Sequence, residues 1–420
     1  MRARVSVPRA AAAALGLALL ALGLTGPVAF AAATCSFAGG TVTVTLTDGA
    51  TATLVRQGDA IALDGSPCDT ASVNDTDDVI VTGSASNPDD FTIDLSGGAF
   101  APGQTDEDGD SDEIEFAVDL PAGGTLRISG REDGDRLTVG SDGANLNVGE
   151  ATNDVDVVLD GPARWELAGV TGDDRLSIAG GDGTGAAVVD ATVRGGSGSD
   201  TIVAALDGCV IAGEGDVDTL DYSAAPTGVR VDLSKGQATR TNVDPDTVTG
   251  IENVVGTPQD DRLTGDEQSN ELLGGAGRDT LDGHKGADDL VGGEGKDTVA
   301  FAYATVSVTV DLKEGTSTGN GSDTLTSIES VRGSKQADVI SGGPDANALR
   351  GGPGGDAIRG NAGRDLVVGG KGWDVLLGGE DRDRVEGGRG KDQLNGGDGR
   401  DTCVPGPDPD SWTACEVVKL

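Results

Sequence analysis

Eight nine-residue units follow one another without interruption over 333–404: GSKQADVIS, GGPDANALR, GGPGGDAIR, GNAGRDLVV, GGKGWDVLL, GGEDRDRVE, GGRGKDQLN and GGDGRDTCV. Glycine opens each unit and usually fills the second and fourth places, a carboxylate usually holds the sixth, and one apolar residue holds the eighth. Glycine accepts the positive backbone angles of tight turns and weakens helices, so this density of it specifies turns. The last three residues of each unit are left for a short strand, whose middle side chain faces away from its two neighbours. Turn and strand in alternation coil the chain. Ile340, Leu349, Ile358, Val367, Leu376, Val385, Leu394 and Cys403 are then expected to stack as the inward row of a solenoid, with the sixth-place carboxylates aligned along its turns.

Such a coil is short of apolar material. Burying one Leu or Ile contributes about 1.5–3 kcal/mol, no more than ordering two or three of the nine backbones costs. The stacked aspartates also repel one another. A cation between turns would relieve both faults, and calcium suits best, because it takes six to eight hard oxygen ligands and carboxylates with free turn carbonyls supply them.

The units starting at Gly351, Gly369, Gly387 and Gly396, with GGAGRDTLD at Gly274 and GGEGKDTVA at Gly292, fit GGxGxDxUx, where U is a large aliphatic. This pattern resembles the repeats-in-toxin (RTX, haemolysin-type) calcium-binding nonapeptide. The resemblance covers 256–300 and 333–404, with GGSGSDTIV at Gly195 as an outlier. It implies a right-handed parallel β-roll with two nonapeptides per coil and calcium held between one repeat and the next but one. The implied ligands are Asp279, Asp288, Asp297, Asp338, Asp356, Asp365, Asp374, Asp383, Asp392 and Asp401. Turn glycines Gly275, Gly277, Gly293, Gly295, Gly352, Gly354, Gly370, Gly372, Gly388 and Gly390 join them. Tighter sites are expected at Asp356/Asp374 and Asp374/Asp392. Looser ones are expected at Asp365/Asp383 and Asp383/Asp401, where Asp381 replaces a fourth-place glycine. Family members commonly carry a toxin or protease domain upstream; no such domain is visible here, and that activity is not carried over.

A net charge of −41, from 71 acidic and 30 basic residues, opposes phosphate binding, so no nucleic-acid partner is expected. Arg2, Arg4 and Arg9 ahead of the apolar run 10–24, with Ala31 and Ala33 before Thr34, read as a cleavable leader over 1–33. The run falls short of the ~20 residues that span a bilayer, and no later stretch could span one. Cysteines in an exported chain favour disulfides. Proximity pairs Cys35 with Cys68 and Cys403 with Cys415, leaving Cys209 as a buried apolar residue.

The organisation expected from these features is all-β. A β region covers 34–122, and a degenerate β-solenoid or irregular β domain with a first insert covers 123–255. The first array occupies 256–300, a second insert 301–332, the second array 333–404, and a disulfide-closed cap 405–420. The inserts look like copies: VDL at 231–233 with DTVTGIENV parallels VDL at 310–312 with DTLTSIESV. The acidic stretch 106–115 fails the EF-hand pattern and reads as a solvated loop.

His284 is the sole histidine, so HExxH zinc sites and histidine-based triads not built on it are excluded, and its place in a repeat reads as a surface turn. GGEGKDT around Lys296 lacks the spacing of a phosphate loop. Fifth-place Arg278, Lys296, Arg364, Arg382, Lys391 and Arg400 are expected to lie outward and soften repulsion between carboxylate rows, with a ligand-binding basic stripe as the alternative. The function expected is a secreted, extracellular, non-enzymatic calcium-binding roll. A cell-surface adhesin or matrix spacer with an unidentified partner is the alternative, and a polysaccharide-active β-helix enzyme a lesser one.

Overall fold

The computed structural model describes residues 33–98, 100, 114–121, 124–131, 136–140, 143–145, 157–160, 164–180, 190–205, 208–240 and 243–419. The expected leader up to residue 32, and most of the acidic stretch 106–115, lie outside them. The chain forms two compact units. One comprises 1–129 with 142–146 and 152–165; the other comprises 166–420 with 130–141 and 147–151. Regular structure is almost entirely β, with one 3-10 turn at Leu233–Lys235 among the described residues.

The first unit is already wound. Thr41–Leu46, Asp78–Thr82, Glu115–Asp119 and Val157–Asp160 form one parallel ladder, and Thr51–Gln57, Asp89–Asp94 and Gly124–Ser129 another. Alternation puts Val42, Val79, Phe116 and Val157 in one buried row and Leu54, Ile93 and Ile128 in a second. The strand Ala33–Ala38 pairs antiparallel with Thr41–Leu46, and Cys35 is bonded to Cys68 beside it. Solenoid pairing therefore starts at Thr41, well ahead of the 123 boundary expected from glycine spacing, because these wide coils turn on Asp, Pro and Ser as much as on glycine.

The second unit holds the roll. Strands eighteen residues apart pair in register. Val339–Ser341, Ala357–Asn361, Val375–Glu380 and Gln393–Asp398 line one sheet. Ala348–Pro353, Leu366–Lys371, Arg384–Arg389 and Thr402–Val404 line the other. Every eighth-place side chain from Ile340 to Cys403 is at most 2% exposed, so the inward row is as expected. Many strands are longer than expected, however. They run on from the seventh place of one unit into the third of the next, so the two leading glycines belong to the strand.

Each insert is a three-stranded meander spliced into a ladder. Arg230–Asp232, Gln237–Thr239 and Asp246–Thr249 pair antiparallel in turn, and Arg230–Asp232 resumes parallel pairing with Arg262–Thr264. Thr309–Asp311, Thr316–Thr318 and Ser322–Thr326 repeat the arrangement, resuming on Val339–Ser341. Both copies bury a carboxylate. Asp246 accepts from the Tyr222 hydroxyl, and its counterpart Asp323 accepts from the Ser317 hydroxyl.

Candidate metal centre

The turns explain the glycines place by place. At the first place a Cβ would collide with the aspartate of the same unit, lying 2.1 Å from Asp356 Oδ2 at Gly351 and 2.3 Å from Asp374 Oδ2 at Gly369. The second and fourth places adopt positive φ, +122° at Gly370 and +141° at Gly372. A Cβ on Gly372 would lie 1.4 Å from the Gly354 carbonyl oxygen, and one on Gly390 1.5 Å from that of Gly372. Second- and fourth-place carbonyls thus face the next turn across a seam with no room for side chains.

The sixth-place aspartates line that seam. Asp374 Oδ1 accepts the backbone N–H of Asp356 at 2.8 Å, Asp392 that of Asp374 at 3.0 Å, Asp383 that of Asp365 at 2.8 Å, and Asp401 that of Asp383 at 2.8 Å. In the first array Asp297 accepts from Asp279, also at 2.8 Å. Asp288, on the opposite row, accepts from Asn270 at 2.9 Å. These aspartates are at most 3% exposed. Yet Oδ2 of Asp279, Asp288, Asp297, Asp356, Asp365, Asp374, Asp383, Asp392 and Asp401 is buried with no hydrogen-bond partner. Burial, with help from neighbouring carboxylates, pushes Asp279, Asp288 and Asp365 up to about 7 and Asp356, Asp374 and Asp383 up to about 6. An orphaned buried carboxylate oxygen is costly.

Several other buried carboxylates are satisfied internally; Asp282, at the ninth place of its unit, is not, its Oδ2 being buried without a partner. Asp89 accepts from the Ala50 and Ser84 amides, and Asp261 from Val229 on one oxygen and Thr257 on the other. Asp338, expected among the ligands, is of this closed kind: Val308 N–H and the Ser334 hydroxyl reach Oδ1, and the Ser334 amide reaches Oδ2. At Asn270 and Asn347 the side-chain carbonyl takes the second-place amide of its own turn, from Asp266 and Gly343. Each array therefore opens on turns whose sixth-place side chain is closed by its own second-place N–H. The orphaned oxygens come afterwards, where the second place has positive φ.

Among the described residues no three His, Cys, Asp or Glu side chains converge on one point. An ion in a seam would take one carboxylate from each of two turns and its remaining ligands from carbonyls, an all-oxygen set that fits calcium.

The rows extend further than the sequence suggested. Asp200 and Asp218 repeat the geometry, with Asp218 Oδ1 accepting the Asp200 N–H at 2.8 Å and Oδ2 of both buried and orphaned. The Gly195 outlier signalled Asp200, and GEGDVDTLD at 213–221, with Asp218 sixth and Leu220 eighth, was the available clue to the other. Glu252 and Glu329, equivalent residues of the duplicated inserts, carry a row across each insert by accepting from Asp218 and Asp297. The tail 405–413 (PGPDPDSWT) is a further unit in frame. Asp410 accepts the Asp392 N–H at 2.8 Å with its Oδ2 orphaned, and Trp412 pairs with Leu394. The nine-residue step from Asp401 to Asp410 was the available clue. Cys403 is bonded to Cys415, and Cys209 is buried and belongs to neither disulfide.

His284 departs from a simple surface turn. It is half-buried at φ +73° and stacks on Tyr303 of the second insert with ring centroids 4.8 Å apart. Among the described residues no helix is long and apolar enough to cross a membrane.

Residues 246–281, 264–299, 317–357, 350–385, 368–403 and 377–411 match the RTX calcium-binding nonapeptide repeat. No curated protein matches the chain.

Proposed function

The arrays being RTX calcium-binding repeats wound as a β-roll, we propose that the chain is an exported, non-enzymatic protein whose roll is completed and stiffened by calcium outside the cell. The observation that carries this is the row of buried, unpartnered Oδ2 atoms, one on each sixth-place aspartate along the glycine-lined turns, where Asp89, Asp261 and Asp338 are closed by the chain itself. Asp356, Asp374 and Asp392, with the carbonyls of Gly352, Gly354, Gly370, Gly372, Gly388 and Gly390, would hold one row of ions. Asp365, Asp383 and Asp401 would hold the opposite row, more loosely. Asp279 with Asp297 would serve the first array, together with Gly275, Gly277, Gly293 and Gly295. Bound calcium would supply positive charge and a flexible oxygen coordination at each seam; the chain supplies the fixed spacing. The leader-like residues 1–33 and two disulfides support export, where the ion is plentiful. Circular dichroism of the full chain titrated with calcium from excess chelator tests the proposal: β signal should rise to saturation, and a spectrum unchanged from chelator to millimolar calcium would refute it.

A further inference from the structure

One face of the roll is at odds with the charge of the chain. A groove of about 430 Å³ runs along the turn edge of the sheet that includes Leu366–Lys371 and Arg384–Arg389, and it is lined by Lys296, Arg364, Arg382, Arg384 and Lys419. Arg384 is paired with Glu386. Lys296, Arg364, Arg382 and Lys419 make no close ion pair with a carboxylate among the described residues, so their charged ends are available to a ligand. The acidic lining is Glu329 and the seam residues Asp365 and Asp383. Glu329 is engaged with the Asp297 amide, and the two aspartates are the ones assigned above to calcium. With calcium in the seams, this groove is a cationic stripe on a chain of net charge −41.

Arg364 and Arg382 occupy the same place in successive coils, about 4.8 Å apart by strand spacing. From the strand after Lys296 to the strand before Lys419 the ladder makes six steps, about 29 Å at that spacing. Ala346 and Ala348 form a low floor between the cations. A long, shallow track with cations spread along it suits an extended polymer better than a small ion. Duplex nucleic acid places a charge about every 1.7 Å of axis, far denser than this stripe, and would meet the acidic remainder of the chain. No aromatic side chain lines the groove to stack bases. A linear polysaccharide with one carboxylate per sugar ring can set successive carboxylates against Arg364 and Arg382, and a guanidinium presents its paired donors to a carboxylate.

We infer that this groove is a docking track for a polyuronate-type polysaccharide, open for binding when calcium occupies the seams beneath it. The inference rests on the calcium reading above. The test uses the full chain in calcium and a fluorescent oligogalacturonate too short to gel, followed by anisotropy. Binding should weaken as salt rises and should be at least about tenfold weaker for Arg364→Gln/Arg382→Gln. Lys391→Gln, on the opposite row, should leave it unchanged, and a neutral oligoglucan should not bind. The calcium response of each variant, followed by circular dichroism, is the folding control. A normal calcium response without oligogalacturonate binding would overturn this inference alone, as would equal binding by the double variant, by the neutral glucan or by duplex DNA in its place. A missing calcium response in the wild-type chain would remove the premise of both proposals.

Discussion

Replacing Asp374 by Asn separates a metal-completed carboxylate from an ordinary buried one. Asp374 serves two seams, accepting from Asp356 on one side and donating its own N–H to Asp392 on the other. The amide keeps the Oδ1 acceptor and puts an NH2 where the orphaned Oδ2 stood. Asn270 and Asn347 show how such an NH2 is used, donating to the Glu252 carbonyl at 2.8 Å and the Glu329 carbonyl at 3.2 Å. In chelator the change removes a buried unpartnered acceptor, worth about 1–3 kcal/mol, so the calcium-free roll gains stability. In calcium it removes a charged ligand from two sites. A tenfold loss at each, about 1.4 kcal/mol apiece, makes the loaded roll about 3 kcal/mol less stable. Asp338→Asn is the counter-case. Both its oxygens already accept from the chain, so the new NH2 meets the Val308 or Ser334 N–H, donor against donor. It should lose about 1–3 kcal/mol with or without calcium. Thermal unfolding and calorimetric calcium titration of both variants read the difference. Equal destabilisation of Asp374→Asn in chelator and in calcium would refute the reasoning.

In chelator, the fold should weaken as pH rises from about 4 to about 7, because burial raises Asp279, Asp288 and Asp365 from 3.8 to about 7. The folded chain then holds protons that the unfolded chain has released; chelator melts across this range check it, and a flat or rising profile would contradict it. Gly372→Ala forces a Cβ to 1.4 Å from the Gly354 carbonyl at φ +141°. It should cost at least about 1–3 kcal/mol of calcium-loaded stability, read as a lower denaturation midpoint. Removing the Cys403–Cys415 bridge, which closes a short loop over the last coils, should cost about 3 kcal/mol on loop entropy and expose 405–420 to limited proteolysis.

The arrays were legible because each place in the nonapeptide answers one steric demand. Ile340 to Cys403 had to face inward, and first-place glycines make room for the sixth-place aspartates. Elsewhere the determinants are not local. The first unit winds on coils held by Val42, Val79 and Phe116, and the segments around them share no glycine–aspartate motif. Glu252 and Glu329 carry the row with a longer side chain that no fixed sixth place announces. Asp338 has the right place and the wrong neighbour, since Ser334 at the second place closes it with both its amide and its hydroxyl. His284 meets Tyr303 only because an insert brings it there.

The most direct measurement is a crystal of the full chain grown in calcium, with anomalous scattering used to place the ions. The account predicts peaks about 2.3–2.6 Å from the Oδ2 atoms of Asp356, Asp374 and Asp392 on one edge and of Asp365, Asp383 and Asp401 on the other, and none at Asp261 or Asp338. Empty seams, or ions at Asp261 and Asp338 as readily as at Asp374, would contradict it.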